Sequence, residues 1–137
     1  MNEIWAGIQA AFRLIMTLDA DLVEITLRSL QVSLSALVIA SILALPFGTW
    51  LAISRFRFRR TAIASLNALM GLPPVVVGLI VYLLLSRSGP FGVLGLLFTP
   101  TAMIIAQVII ITPLIASITH QAMRELWAEY HDLLISL

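Results

Sequence analysis

The sequence predicts an all-α integral membrane protein with three transmembrane helices and an amphipathic helix at the N-terminus. Of the 137 residues, 61% are hydrophobic and only 11% are charged, whereas a soluble domain is about half apolar and about a quarter charged. The charges are also unevenly placed, because three long stretches contain no Asp, Glu, Lys or Arg. The net charge is only +1, so nucleic acid is not expected as a partner.

Each uncharged stretch is long enough to cross a bilayer, since a helix needs about 20 apolar residues to span about 30 Å of hydrocarbon. These stretches cover residues 29–54, 61–86 and 88–123. The third begins with residues 88–100, which contain three glycines and two prolines and are interpreted as a loop outside the cytoplasm. We therefore predict transmembrane helices at about 27–54, 61–86 and 101–122.

The arginines predict the orientation of these helices. The loop 55–60 reads RFRFRR, and its four arginines are interpreted as a topology anchor: Arg55, Arg57, Arg59 and Arg60. The loop 87–100 contains only Arg87. Because basic residues are enriched in cytoplasmic loops, loop 55–60 and the C-terminal segment 120–137 are predicted to be cytoplasmic. A binding site for lipid headgroups in loop 55–60 is the less favoured alternative.

Residues 1–20 are predicted to form an interfacial amphipathic helix, separate from the membrane domain 21–137. Apolar residues recur there at helical spacing, although Arg13 interrupts them. A fourth crossing is the competing interpretation. Asp19, Asp21 and Glu24 are predicted to form an acidic connector to the first crossing.

A stripe of small residues repeats every four positions along the first predicted crossing. Its members are Ala36, Ala40, Ala44, Gly48 and Ala52. Small side chains allow the backbones of two membrane helices to approach closely. Packing within the same subunit is favoured over a contact between two copies.

The second crossing contains the motif GLPPVVVG at residues 71–78. Pro73 and Pro74 lack amide donors and disfavour helical geometry at Leu72. Broken backbone at membrane depth persists only where protein or a water-filled cavity covers it. The candidate lining of a translocation path is therefore Gly71, Pro73, Pro74, Gly78 and Gln107. A kink that only shapes packing is the alternative, and Gln107, like Asn67, also suits a hydrogen-bonded bridge between helices.

Several kinds of chemistry are excluded by missing residue types. The chain has no lysine, which excludes a P-loop and a Schiff base, and it has no cysteine ligand or nucleophile. The predicted crossings contain no proton relay of ionisable groups, which ion-coupled transporters usually need. We therefore expect no enzyme, no metal site and no cofactor in this chain. Any active transport would take its energy from a partner subunit.

Two segments carry a resemblance to a known family. ITLRSLQVSLSALVIASILALPFGTWLAISRFRFRR, residues 25–60, resembles the first helix of oxyanion-type ABC importer permeases. GLPPVVVGLIVYLLLSRSGPFGVLGLLFTPTAMIIAQ, residues 71–107, resembles a tungstate importer permease, with molybdate permeases as close relatives. The resemblance implies part of a type I ABC importer permease fold in a bacterial or archaeal cytoplasmic membrane. It also implies a second permease copy, an extracytoplasmic solute-binding protein, and an ATP-binding subunit that holds ATP and Mg.

The C-terminal segment RELWAEYHDLLISL, residues 124–137, resembles the start of the EAA loop of these permeases. In the family this loop forms a coupling helix seated in a cleft of the ATP-binding subunit. The implied ATPase-coupling residues are Glu129, Tyr130, His131, Asp132, Leu133 and Leu134. The family motif continues with a glycine, so the sequence is expected to be the N-terminal part of a permease that ends within this motif.

Without the family, the apolar stripe of the C-terminal segment suits either a partner's groove or a lipid surface. A structural or assembly subunit without a transport path is the alternative function. Contact between residues 129–137 and an ATPase subunit would distinguish the two functions.

Overall fold

The computed structural model describes all 137 residues and contains five α-helices and no strand. The helices are α1 (Asn2–Thr17), α2 (Ala20–Ile53), α3 (Arg59–Met70), α4 (Pro74–Leu85) and α5 (Pro100–Ser136). A short 3-10 turn, Gly92–Leu94, lies between α4 and α5. Helices α2 and α5 are each long and apolar enough to cross a membrane. The bent pair α3–α4 is also long and apolar enough when the two helices are counted as one span. The predicted all-α membrane class is confirmed.

Helices α2 and α5 lie side by side and run in the same direction. Near the start of both helices, Val32 and Gln107 line one groove, and further along Gly48 lies against the backbone of Ala116. The small-residue stripe makes this approach possible, and three of its members are completely buried: Ala36, Ala40 and Ala44. The predicted packing of the stripe within the same chain is confirmed.

The segment predicted as the second crossing, residues 61–86, forms two helices, because α3 and α4 meet at an angle of 96°. Gly71 follows α3, Leu72 lies outside both helices, and Pro73 has extended backbone before Pro74 begins α4. Two prolines in succession remove two amide donors, and a residue before proline disfavours helical geometry. The predicted disruption at Leu72 is confirmed, and it is a sharp bend.

The segment between α4 and α5 folds back onto the end of α4. The Phe91 amide donates a hydrogen bond to the Leu84 carbonyl at 3.0 Å. Val81 and Leu85 of α4 form a small buried cluster with Ala102 of α5. The Thr99 side chain accepts a hydrogen bond from the Ala102 amide and so caps the start of α5. The predicted loop at residues 88–100 is thus a compact connection.

Helix α5 extends beyond the predicted third crossing, 101–122, and continues to Ser136. Residues 123–136 contain neither glycine nor proline, and most of them favour helix. Nothing in the local sequence therefore interrupts the hydrogen-bonding pattern after the predicted crossing. The C-terminal segment is a direct extension of the apolar helix.

Helix α2 begins at Ala20, before the predicted first crossing at 27–54, so the prediction of an acidic connector is wrong. Asp21 and Glu24 lie within the first turns of α2, where the helix dipole favours negative side chains. The real break is at Leu18, whose backbone is left-handed with φ 48°. Helix α1 precedes this break and has no buried residue. Its place at the membrane interface stays a prediction.

Only 13 of the 137 residues are buried, and large apolar side chains are exposed along every helix. Soluble monomers rarely expose apolar patches larger than a few hundred Å². The surface therefore indicates that lipid or further protein covers this chain.

Candidate functional site

The residues of the α3–α4 bend lie beside an apolar groove. Leu72 and Pro74 line this groove, and Ile109 and Pro113 of α5 line its opposite wall; its volume is about 320 Å³. Pro74 has no amide hydrogen to donate to the Met70 carbonyl, as another residue would in a continuous helix. Gly78 is half-buried, with open space around its α-carbon. The bend therefore combines interrupted backbone with an adjacent cavity.

Gln107 does not share this groove with the bend. It lies in a second groove of about 240 Å³ between α2 and α5, together with Arg28, Ser29 and Ser33. Four of the five predicted path residues therefore lie in α4 or in the bend that precedes it: Gly71, Pro73, Pro74 and Gly78. The fifth, Gln107, lies in the groove between α2 and α5. The sequence pattern did not reveal that Arg28, Ser29 and Ser33 share this groove with Gln107. The spacing of the two serines, four residues apart on one helix face, was the available signal.

The four arginines of loop 55–60 differ in their surroundings. Three are exposed, whereas Arg59 is half-buried and its Nη2 donates a hydrogen bond to the Ala52 carbonyl at 3.1 Å. Ala52 lies in the last turn of α2, where carbonyls lack helical partners. Phe56 stacks on Trp50 with 4.9 Å between ring centroids. Arg59 therefore caps α2, a role that the sequence pattern did not reveal.

Replacing Arg59 with alanine is expected to lower the free energy of unfolding by about 1–2 kcal/mol, since a charged donor to a carbonyl is lost. Arg57→Ala is the matched control, because Arg57 is exposed in the same loop. Thermal unfolding in detergent micelles measures the difference. Equal melting temperatures for the two variants would contradict the capping role.

Polar side chains link α3 to α5 beside this loop. The hydroxyl of Ser117 lies 3.5 Å from Asn67 Oδ1, at the upper limit for a hydrogen bond. Ser117 and His120 are both buried on the same face of α5. The predicted bridging role of Asn67 is supported by this contact.

The predicted coupling residues all lie on the exposed C-terminal part of α5. Every residue from 124 to 137 is exposed, and Trp127 stacks on His131 with 6.1 Å between ring centroids. Trp127, Tyr130 and Leu134 are spaced so that they share one helix face. This face is exposed, and Glu129 and Asp132 lie on the opposite side of the helix. The arrangement suits insertion into an apolar groove of a partner.

Comparisons with known proteins find relatives among membrane permeases. The chain is 40% identical over 129 residues to the tungstate uptake system permease protein TupB of Peptoclostridium acidaminophilum, covering 94% of this chain and 57% of that protein. It is 40% identical over 111 residues to a Haloferax volcanii protein named "Probable anion ABC transporter permease protein", covering 81% and 48%. It is 30% identical over 118 residues to TupB of Campylobacter jejuni, covering 86% and 49%.

No family model matches the chain, and no solved structure matches it. The chain spans about half the length of the curated relatives it matches. The similarity runs through nearly all of this chain, including both segments that carry the sequence resemblance. The predicted resemblance to tungstate-type ABC permeases is confirmed. The relatives are named as permeases, in agreement with the prediction that the chain is not an enzyme.

Proposed function

The chain is homologous to permeases of tungstate-type anion ABC transporters, and on this premise we propose that it forms part of the permease of an oxyanion importer. The importer would carry tungstate or molybdate into the cytoplasm, with ATP hydrolysis on a separate subunit. The observation that carries the proposal furthest is the exposed apolar face at the end of α5, where the coupling loop is expected.

The arrangement of helices supports three crossings. Since α2 and α5 are parallel, the end of α2 and the start of α5 lie at opposite ends of the pair. The connection between them must therefore return across the full length of the bundle. Helices α3 and α4 make this return, with Asn67 near Ser117 at one end and Leu85 near Ala102 at the other. The bent pair thus acts as one broken span of a type I permease fold.

The length of α5 supports a cytoplasmic coupling segment. Its 37 residues correspond to about 55 Å of helix, well beyond the roughly 30 Å of bilayer hydrocarbon. The excess lies at the C-terminal end, on the same side as loop 55–60, because α2 and α5 are parallel. The four arginines favour a cytoplasmic position for this side, in agreement with an ATP-binding subunit as partner.

Continuity of α5 provides a physical route for coupling. The same helix carries the coupling residues and, some 20 residues earlier, Ile109 and Pro113 beside the bend. ATP binding would close the ATP-binding subunits and displace the coupling segments. Because a single helix moves largely as a rigid element, this displacement would shift the wall of the bend groove. The path would open alternately to the two sides of the membrane.

The remaining exposed surface suits the other proposed partners. A second permease copy would cover part of the apolar surface and enclose the path with this one. A solute-binding protein would deliver the anion to the loop between α4 and α5, opposite the arginine loop. ATP and Mg would be held by the ATP-binding subunit. The complex would lie in the cytoplasmic membrane of a bacterium or archaeon.

Replacing Leu134 with arginine tests the coupling role. An arginine buried in an apolar groove loses its hydration and gains no partner. We therefore expect oxyanion uptake to fall at least tenfold. The amount of ATP-binding subunit that is recovered with the permease should fall by a similar factor. Ala128→Arg adds the same charge on another face of the helix. It is expected to change uptake and the recovery of the ATP-binding subunit by less than twofold. The measurement uses the intact permease with its partner subunits.

Unchanged recovery of the ATP-binding subunit with Leu134→Arg would contradict the coupling role. Loss of that subunit without any change in oxyanion content of the cells would favour an assembly subunit that has no transport path.

A further inference from the structure

The groove between the first parts of α2 and α5 has an unusual lining for a membrane helix pair. Its residues are Ile25, Arg28, Ser29, Val32, Ser33, Met103 and Gln107. Two helices thus contribute a guanidinium, two hydroxyls and an amide to one space of about 240 Å³. None of the lining residues is acidic. The groove therefore offers hydrogen-bond donors and a positive charge without a competing carboxylate in its wall.

This set of donors matches the chemistry of an oxyanion. A guanidinium presents five N–H donors in a fixed plane, and hydroxyls and amides add further donors. Charge-assisted hydrogen bonds to an anion are about twice as strong as neutral ones. A cation would be repelled by the guanidinium, and the lining has no carboxylate to bind it.

Arg28 is available for an incoming anion. Its ion pair is with Glu24 at 3.6 Å, and the two side chains are 62% and 68% exposed. Exposed pairs of this kind contribute at most about 1 kcal/mol. An oxyanion can therefore replace Glu24 at the guanidinium with little loss. The same competition keeps the affinity for the anion low.

The position of the groove is at the mouth of the proposed path. Met103 and Gln107 lie in the first turns of α5, directly after the loop between α4 and α5. Ile109 and Pro113, which line the bend groove, lie deeper along the same helix. An anion that arrives at the loop would meet Arg28 before it meets the bend.

We propose that Arg28, Ser29, Ser33 and Gln107 form a low-affinity binding site for a tetrahedral oxyanion at the extracytoplasmic mouth of the permease. The assignment of the outer side rests on the proposed function. The site concentrates the anion beside the path and releases it readily, since its one positive charge is shared with Glu24.

Cysteine protection tests the site independently of transport, because the chain has no native cysteine. In the intact permease, Ser33→Cys is treated with an anionic methanethiosulfonate reagent, with and without 10 mM inorganic tungstate, a concentration on the order expected for weak binding. We expect tungstate to slow modification at least threefold. Leu34→Cys, exposed on a neighbouring face, is the control and is expected to react equally under both conditions.

Uptake measurements with Arg28 variants complete the test. Arg28→Gln is expected to abolish the protection of Ser33→Cys by tungstate and to lower uptake at subsaturating tungstate at least fivefold. Arg28→Lys is expected to retain most of the protection and most of the uptake. Arg13→Gln, at an exposed arginine of α1 that does not line the groove, is expected to leave uptake unchanged. Equal modification with and without tungstate, or normal uptake by Arg28→Gln, would overturn the site while the proposed function stands. A parent protein without oxyanion uptake would overturn the proposed function, and tungstate protection of Ser33→Cys would still support the site.

Discussion

Gly48→Leu is expected to prevent the stable packing of α2 against α5. A β-carbon at position 48 would lie 2.6 Å from the Ala116 carbonyl oxygen and 2.9 Å from Thr119 Cβ. The first of these atoms belongs to backbone, so it cannot rotate away as a side chain can. The two helices would have to separate along the stripe that brings them together. Because membrane helices associate through close packing, this separation removes their main attraction.

The smaller change Gly48→Ala isolates the steric effect. Overpacking costs about 1–3 kcal/mol, while alanine in a helix gains up to about 1 kcal/mol over glycine. We therefore expect a net loss of stability for Gly48→Ala. Gly7→Ala and Gly78→Ala are the matched controls, since both glycines are helical and have nothing within 4 Å of the added carbon. These two variants are expected to be as stable as the parent or slightly more so.

Melting temperature in detergent, together with the amount of protein inserted in membranes, measures these variants. If the Gly48→Ala protein had the same melting temperature as the Gly78→Ala control, α2 and α5 would not be closely packed at Gly48.

The double change Pro73→Ala and Pro74→Ala is expected to lower oxyanion uptake at least tenfold while membrane insertion stays normal. Alanine restores two amide donors and favours helix, so α3 and α4 can join into one straight helix. Straightening a bend of 96° would remove the groove beside Ile109 and Pro113. A continuous helix would also satisfy the carbonyls that the prolines leave without helical donors.

Pro46→Ala is the matched control for this prediction. Pro46 lies inside α2, which remains one helix through it, so its replacement removes a proline without removing a break. Uptake by this variant is expected to stay within about twofold of the parent. Accessibility of single cysteines on either side of the membrane checks that the double variant inserts correctly. Full uptake by a correctly inserted double variant would rule out a path role for the bend.

Features of this chain that depend on neighbouring residues were predictable from the sequence, and those that depend on distant residues were not. The small-residue stripe and the proline pair were recognisable in the sequence because both act through backbone sterics of neighbouring residues. The helix bounds were less accurate. Asp19, Asp21 and Glu24 predict a connector, yet Asp21 and Glu24 lie within α2, because charged residues continue a helix readily once it leaves the hydrocarbon. Hydropathy marks where a helix leaves the membrane, and local backbone preference decides where it ends.

The sequence by itself determined that this chain is a helical membrane protein, where its backbone must break, and which permeases it resembles. These properties depend on composition and on residues close together in the chain. Only the tertiary structure decided that Gly48 of α2 lies against Ala116 of α5, that Arg59 caps α2, and that Gln107 shares a groove with Arg28 and not with the bend. Each of these contacts joins separate helices or a helix and a loop, and it depends on the rotation of a helix about its axis. Uniformly apolar helices carry little sequence pattern that specifies this rotation, so packing alone selects it.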